Sequence, residues 1–399
     1  MRIAIASRIF DPEPSAASFR LGALAEACVA AGHATTVLTV RPPRRLSGES
    51  ADARRPYRVR RFPVLRDRSG YVRGYVQYLS FDLPLLFRIL FGPRRDAIVV
   101  EPPPTTGFFV RLAATLRRTP YVYYAADIWS DAASQTGAPG WMVRAVRGIE
   151  RFALRGAAVV LSVSEGVTGR LAELGIAETV VTVGNGVDVG SFLAGLSEAP
   201  AARPVTPEFV YAGTASEWHG AEVFVRALPA VRDAVPGAVV RFIGGGSERA
   251  SLEALATELG VGAAVRFEPA VSAPELAPVL RGATAALASV RPGSGYDFAF
   301  PTKLYSAAVC GAPLVYAGIG PAADFVRTEV DGRPIGVGVP LDAGAVAAAM
   351  IETASVPGPG DPAGDARRGA VSAWAGGAVG LDAVAARAVD EIARAATRR

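Results

Sequence analysis

The chain alternates short strands rich in valine and isoleucine with helices that have one apolar face, and it does so in two consecutive series. The first series opens with RIAIASRIF and ends with TVVTVGNG, and the second opens with EFVYAGT and ends with PLVYAG. Apolar strands separated by helices predict parallel sheets that are covered on both faces. We therefore expect an α/β protein with two Rossmann-like, doubly wound domains facing across a cleft that holds the ligand.

The break between the two series sets the predicted domain boundaries. Residues 191–207 are rich in alanine and proline and lack strong periodicity, as is typical of a linker. We predict an N-terminal domain over residues 1–190 and a C-terminal domain over residues 208–375. Residues 376–399 are predicted to include a helix that can pack back on the N-terminal domain.

Composition restricts where the protein works. Its two cysteines, Cys28 and Cys310, lie far apart in apolar stretches, which favours a reducing cytoplasm over a disulfide framework. The N-terminal apolar run is too short for a secretory signal, and no stretch reaches the roughly 20 apolar residues of a spanning helix. We therefore expect a cytoplasmic protein that does not span a membrane.

Arginines are concentrated in residues 41–68, immediately before the aromatic-rich segment 71–91. Basic residues beside amphipathic aromatic sequence suit an anionic lipid surface, and a solvated arginine-rich face is the alternative. Nucleic acid is not expected as a partner, because no recognition motif accompanies the charge. We predict that residues 41–91 hold the protein peripherally at the inner face of the cell membrane.

Lysine occurs once in this chain. Of the 42 basic residues, Lys303 is the single lysine, and it lies in the sequence FPTKLYS at a predicted helix start. A compact ammonium differs physically from a planar guanidinium, so this exception in an arginine-rich chain is a candidate site residue. Glycine-rich turns also follow two predicted strands, at Gly213 and at Gly244-Gly245-Gly246, where backbone can approach a phosphate.

Longer motifs occur in a characteristic order along the chain. The first half contains VVEPPPTTGFFVRLAATLRRTPYVYYAADIWSDAA, LSVSEGVTGRL and GNGVDVGSF, and the second contains IGGG, VRFEP and FPTKLYSAAVCGAPLVYAG. In order and spacing this series resembles glycosyltransferase family 4, which has the GT-B fold, and within it a branch that builds cell-surface polysaccharides. The resemblance implies a retaining, metal-independent transferase that moves a hexose-type sugar from a UDP- or GDP-sugar to a lipid-linked or cell-envelope saccharide.

The resemblance also implies site residues. The donor-binding residues that it implies are Gly213, Thr214, Gly244, Gly245, Gly246, Pro269, Val271, Thr302, Lys303, Leu304 and Ser306. The residues that it implies on the acceptor side are Ser15, Arg20 and Trp129.

Three residues are candidates for the chemistry. Lys303 would stabilise the charge that develops on the leaving nucleotide diphosphate, and His219 is a second donor if it is protonated. Asp127 ends the strand YVYYAAD and would act on the acceptor hydroxyl as a base or orient the sugar, with capping of a local turn as its alternative role. We expect no metal and no cofactor, because no D-x-D cluster is placed to bridge a diphosphate and Lys303 can take that task.

Three positions depart from the family's pattern. Residues 14–17 replace the glycine pair after the first strand, Thr214 and His219 replace an arginine and a lysine, and Ser306 replaces the glutamate that bonds the donor ribose. These replacements leave a non-catalytic binding subunit of the same fold as an alternative. A sugar-nucleotide 2-epimerase is a second alternative, although two histidines supply few acid and base groups. An NAD-dependent oxidoreductase is disfavoured, because the full G-x-G-x-x-G fingerprint is missing.

Overall fold

A computed structural model describes residues 1–13, 15–43, 46, 52–67, 72, 74–135, 139–198, 206–294 and 296–397. The chain forms two compact units. The first comprises Met1–Gly186 together with Leu381–Arg399, and the second comprises Val187–Gly380.

The first unit contains a seven-stranded parallel sheet with the strand order β3-β2-β1-β4-β5-β6-β7. Its strands are β1 (Arg2–Ala6), β2 (Ala34–Val40), β3 (Arg58–Phe62), β4 (Ala97–Val100), β5 (Tyr121–Ala125), β6 (Val159–Ser162) and β7 (Val180–Thr182). Its helices begin with α1 (Ala16–Ala30), α2 (Tyr75–Leu90), α3 (Pro104–Arg117), α4 (Trp129–Gln135), α5 (Gly140–Arg155) and α6 (Glu165–Glu173).

The second unit contains a six-stranded parallel sheet with the order β10-β9-β8-β11-β12-β15, and a two-stranded antiparallel ribbon of β13 and β14. Its helices are α7 (Val189–Glu198), α8 (Glu222–Ala234), α9 (Arg249–Glu258), α10 (Ala273–Gly282), α11 (Lys303–Val309), α12 (Pro321–Val326), α13 (Ala343–Ala354) and α14 (Pro362–Val379). Its strands are β8 (Glu208–Ala212), β9 (Val239–Ile243), β10 (Val265–Glu268), β11 (Ala285–Ser289), β12 (Leu314–Ala317), β13 (Glu329–Val330), β14 (Arg333–Pro334) and β15 (Gly336–Val339).

The central strands of both sheets are buried, as their composition requires. Every residue of β4, β5 and β11 is buried, because helices cover both faces of each sheet. The predicted α/β architecture with two parallel-sheet domains is confirmed. In each sheet the strand order reverses once, between β1 and β4 and between β8 and β11, and the carboxyl ends of strands at such a point form a ligand crevice.

Several elements were not predicted from the sequence, among them β3, α7 and α14. The sequence around β3 is rich in arginine and proline and predicts a connection. It forms a strand because β3 lies at the edge of the sheet, where charged side chains are tolerated on both faces. The predicted linker begins instead with α7, whose Phe192 is buried in the core of the second unit. Helix α14 contains four glycines, a composition that disfavours a helix. It forms because Val371 and Ala375 pack against the same hydrophobic core as Phe192.

The chain returns to the first unit in its last helix, α15 (Leu381–Thr397), which packs against α1 and beside β4, β5 and β6. No helix within the described residues is both long enough and apolar enough to cross a membrane.

Candidate functional site

Two glycine turns run side by side at the carboxyl ends of β8 and β9. The Gly213 amide donates to the Ile243 carbonyl over 2.8 Å, and the Ala215 amide donates to the Gly245 carbonyl over 2.9 Å. A side chain at Gly244 or Gly246 would collide with the carbonyl of the facing turn, and both residues have positive φ. Those two glycines are therefore required by packing, whereas Gly245 is exposed with open space around it.

Lys303, the first residue of α11, lies beside these turns. Its Nζ is 3.5 Å from the centroid of the Tyr211 ring and donates to the Thr214 carbonyl over 3.3 Å. Gly213 is close enough that an added Cβ would meet the lysine side chain. Burial lowers the pKa of Lys303 well below its ordinary value, and no described carboxylate lies near enough to raise it. Lys303 is therefore a half-buried cation without a counter-charge, and an anion that bound beside it would relieve the cost of its burial.

His219 ends a short 3₁₀ turn, Glu217–His219, and is buried. Its Nδ1 accepts a hydrogen bond from the Ser216 amide over 3.1 Å, so its Nε2 carries the remaining proton of the neutral ring. Burial, and then the charge of Lys303, lower the pKa of His219 to about 4. The condition under which His219 was predicted to be a charged donor is therefore not met at neutral pH, and it can donate only as a neutral imidazole.

Aromatic rings surround this histidine. The Trp218 ring stacks on the His219 ring with centroids 3.6 Å apart, and on the Tyr296 ring with centroids 4.8 Å apart. Tyr296 is half-buried.

The other predicted donor residues divide into exposed and buried positions. Pro269 and Val271 are exposed just after β10, and Thr302 is exposed immediately before α11. Ser306 is half-buried on α11. The Leu304 side chain belongs to the hydrophobic core, so a contact of this residue with the donor would be made by its backbone.

In the first unit, polar residues follow β1 and β4 and form a buried network. Ser7 Oγ donates to Glu101 Oε1 over 2.8 Å, and Arg20 Nη2 donates to Glu101 Oε2 over 2.9 Å. Arg20 Nη1 also donates to Asn185 Oδ1 over 3.0 Å. The side chains of Arg20 and Glu101 are each only 5% exposed, so this ion pair is satisfied inside the protein.

Asp127 lies beyond the end of β5 and does not cap the helix that follows it. That cap is supplied by Glu150 of α5, which accepts hydrogen bonds from the Trp129 amide over 2.7 Å and from the Ser130 amide over 3.1 Å. The Asp127 side chain is exposed on one side, but the surrounding protein raises its pKa by desolvation, against the opposing effect of Arg20. A carboxylate in this state is available to a ligand and is a stronger base than usual.

Trp129, two residues after Asp127 in the chain, contributes to an apolar cavity of about 360 Å³. The Tyr78 ring meets the Trp129 ring edge to face with centroids 5.9 Å apart, and the rest of the described lining is uncharged. The Thr105 hydroxyl at this wall already donates to buried Asp82 over 2.6 Å. The cavity therefore suits an apolar group better than a sugar.

The remaining acceptor-side predictions have structural roles. Ser15 caps α1, because its side chain accepts a hydrogen bond from the Ser18 amide over 3.1 Å. Pro14, which precedes it in the departing turn, lies outside the described residues. Arg20 contacts Glu101 and Asn185 as described above.

Sequence reasoning missed Ser7, Glu101, Asn185 and Tyr211. Ser7 and Glu101 could have been found, because each directly follows a predicted buried strand whose carboxyl end lies at the switch point. Tyr211 could not, because it reads as an ordinary core residue of β8.

Comparison with protein families places known domains on both units. Residues 16–186 match the model of the "Glycosyl transferase 4-like domain", and residues 206–355 match the model of "Glycosyl transferases group 1". A curated relative, D-inositol 3-phosphate glycosyltransferase 1 of Catenulispora acidiphila, is 34% identical over 168 residues. That match spans 39% of this chain and 39% of the relative.

Solved structures share the fold over nearly the whole chain. Sucrose-phosphate synthase from Thermosynechococcus elongatus has a TM-score of 0.68 at 18% identity, over 98% of this chain and 98% of that one. HepE from Anabaena, solved in complex with UDP-glucose, has a TM-score of 0.66 at 17% identity, over 99% of both chains. These similarities confirm the predicted GT-B fold.

Proposed function

We propose that this chain transfers a sugar from a nucleotide diphosphate donor. The premise is its family, because through its two domains the chain belongs to the glycosyltransferases that join a 4-like domain to a group 1 domain. The observation that carries the proposal is the uncompensated ammonium of Lys303 between Tyr211 and the glycine turn. A leaving diphosphate is the counter-charge that this position lacks.

The donor is a UDP- or GDP-sugar held by the second unit. HepE, which shares the fold, was solved with UDP-glucose, and this supports a uridine nucleotide. Lys303 would bind the diphosphate with the exposed turn at Gly245, and His219 would add a neutral hydrogen bond from Nε2. Because the lysine supplies the positive charge directly, the proposed reaction needs no metal ion, and no cofactor besides the sugar nucleotide itself.

The reaction retains the configuration of the sugar. In that mechanism the departing phosphate oxygen can accept the proton of the acceptor hydroxyl, so Lys303 would stabilise the charge on the group that also acts as base. Asp127 would then orient the acceptor, and its raised pKa allows it to share the proton.

The acceptor is a lipid-linked or cell-envelope saccharide bound by the first unit. Asp127 offers a carboxylate for a hydroxyl, and the cavity at Trp129 and Tyr78 offers a dry site for an apolar group of the same molecule. An acceptor with polar and apolar parts fits both features better than a free sugar does.

The protein works peripherally at the membrane surface. Helix α2 carries an exposed apolar stripe at helical spacing, from Val76, which is 64% exposed, to Phe91 just beyond the helix, which is 83% exposed. Such a face suits insertion into the boundary between headgroups and acyl chains. The intermediate members of the stripe are Leu79, Leu83 and Phe87.

The arginines of residues 41–91 contribute less free charge than their number suggests. Arg55 pairs with Asp11, Arg61 pairs with Asp52 over 2.6 Å, and Arg66 pairs with Glu13 over 2.9 Å. Arg44, Arg45 and Arg68 lie outside the described residues. The membrane proposal therefore depends more on the apolar stripe and on arginines at the end of α2.

The proposed function is tested by incubating the protein with a panel of UDP-, GDP-, CMP- and dTDP-sugars and analysing the nucleotide products. Release of free nucleotide diphosphate, enhanced by added lipid-linked saccharide, is the expected result. Appearance of an epimerised donor would identify a 2-epimerase instead. Nucleotide-sugar binding by calorimetry without any turnover would identify a binding subunit.

A further inference from the structure

We propose that a pocket between β3 and the C-terminal end of α2 binds the phosphate group of an anionic membrane phospholipid, whose net charge is not cancelled by a cationic headgroup. The pocket has a volume of about 250 Å³. Three arginines line it, Arg60, Arg88 and Arg95, together with Phe87 and Phe91, and none of its described lining residues is acidic. The proposal rests on the peripheral membrane location proposed above, but it does not depend on the donor chemistry.

The three guanidinium groups come from different parts of the first unit and have few partners. Arg95 Nη1 donates to Thr36 Oγ1 over 3.2 Å, and the Arg88 guanidinium lies 3.5 Å from the centroid of the Phe62 ring. Arg88 Nη1 is buried without a hydrogen-bond partner among the described residues. Arg60 is exposed on the edge strand β3. Each of the three retains donors that can bind an anion.

The charges in this pocket repel one another. Burial lowers the pKa of Arg95, and the nearby charges of Arg60, Arg2 and Arg58 lower it further. Burial also lowers the pKa of Arg88. An anion bound among these groups would raise the pKa values of Arg88 and Arg95 again. The planar guanidinium also matches the geometry of phosphate oxygens.

The flanking phenylalanines indicate a lipid as the source of the phosphate. The Phe87 and Phe91 rings are nearly parallel with centroids 6.3 Å apart, and both are exposed at the end of the apolar stripe on α2. Rings inserted among acyl chains would place the arginines at the depth of the headgroup phosphates. A soluble phosphate would make no use of exposed aromatic rings.

The pocket is separate from the candidate acceptor site. Arg95 comes two residues before β4, at the amino end of that strand, whereas Glu101 follows the carboxyl end of the same strand. Arg60 lies on the edge strand β3, which β2 and β1 separate from β4, and no described lining residue of the pocket belongs to the buried network of Glu101. This pocket is positioned to hold the first unit on a membrane without occupying its acceptor site.

The test is flotation of the full chain with vesicles of phosphatidylcholine alone and of phosphatidylcholine with 30% phosphatidylglycerol, a composition chosen as roughly that of an anionic leaflet. The double variant Arg60→Gln/Arg95→Gln should bind the anionic vesicles roughly 25-fold more weakly, since each near-surface arginine contributes about fivefold. The matched control is Arg144→Gln/Arg155→Gln, which removes two exposed arginines from α5. The control should change binding by less than about threefold.

A second arm separates lipid from free phosphate. Calorimetric titration with inorganic phosphate alone should show no saturable binding to the wild-type chain that is absent from the double variant. If the wild-type chain showed such binding and did not bind vesicles, the lipid assignment would be overturned. Equal loss of vesicle binding in the double variant and its control would overturn the site itself. Nucleotide diphosphate release measured without vesicles should be unchanged in the double variant, so failure of the donor chemistry would be recognised independently.

Discussion

The two units treat buried charge in opposite ways. In the first unit, Arg20 and Glu101 neutralise each other, and each has a further hydrogen bond, from Arg20 to Asn185 and from Ser7 to Glu101. In the second unit, Lys303 has an aromatic ring and a carbonyl for partners, and no described carboxylate. Loss of one partner of a buried pair leaves the other charge uncompensated, whereas an unpaired buried cation destabilises the folded chain until an anion binds. The difference separates a buried ion pair from an unpaired cation, at which we propose that a ligand binds.

The largest expected effect is on turnover at the unsatisfied cation. Lys303→Ala should lower nucleotide diphosphate release by roughly two to three orders of magnitude, as removal of a donor to developing charge does. Lys303→Arg should recover little, because a planar guanidinium is longer and differently hydrated. Steady-state assays with the preferred sugar nucleotide measure both. Wild-type turnover in Lys303→Ala would refute the assignment.

The comparison predicts opposite effects on stability. Arg20→Met leaves Glu101 buried without its cation and should cost about 3–5 kcal/mol of unfolding free energy. Lys303→Met removes an uncompensated ammonium and should leave the nucleotide-free protein as stable or more stable. Urea denaturation without nucleotide measures both variants. Equal destabilisation by Arg20→Met and Lys303→Met would show that the two units do not differ in how their buried charges affect stability.

Proton uptake on binding sharpens the assignment of Lys303. Its pKa is lowered in the free protein and should rise when a diphosphate neutralises the site. Above the pKa of the free site, binding should therefore take up a proton, and affinity should fall as the pH rises further. Calorimetric titration of UDP in buffers of different ionisation enthalpy measures the uptake. Lys303→Arg, which stays charged, is the control and should show none.

The smallest expected effect concerns His219. His219→Gln keeps a neutral donor, so it should lower turnover by no more than about tenfold. Because the pKa of His219 is about 4 when folded and higher when unfolded, this residue should reduce stability as the pH falls from about 6.5 towards 4. Urea denaturation between about pH 6.5 and about pH 4 should show that the unfolding free energy of His219→Gln falls less steeply with falling pH than that of the wild-type chain. An identical pH profile would mean that the histidine is not held neutral.

The sequence predicts the parts of this molecule that depend on local pattern. Buried strands, their alternation with helices and the residues at strand ends follow from apolar runs and turn residues, which is how Gly245 and Asp127 could be named, whereas Lys303 is distinguished by composition. The partners of those residues depend on contacts between distant segments. Arg20 and Asn185 are 165 positions apart, so no local pattern reveals their hydrogen bond.

Some residues that the sequence predicts at the site also have structural roles. Gly244 and Gly246 read as phosphate-binding glycines, yet the carbonyls of the adjacent turn leave no room for a side chain. Ser15 reads as an acceptor contact and caps α1. The elements β3 and α14 were missed for the converse reason, since tertiary packing overrides an unfavourable composition.

The return of α15 to the first unit has a consequence for the order of synthesis and folding. The second unit is one uninterrupted segment and can complete its core as soon as Gly380 has left the ribosome. The first unit, although made earlier, lacks the helix that packs on α1 until the last residues emerge. Until residues 381–397 have been synthesised, the apolar surface of the first unit that α15 covers is exposed to solvent.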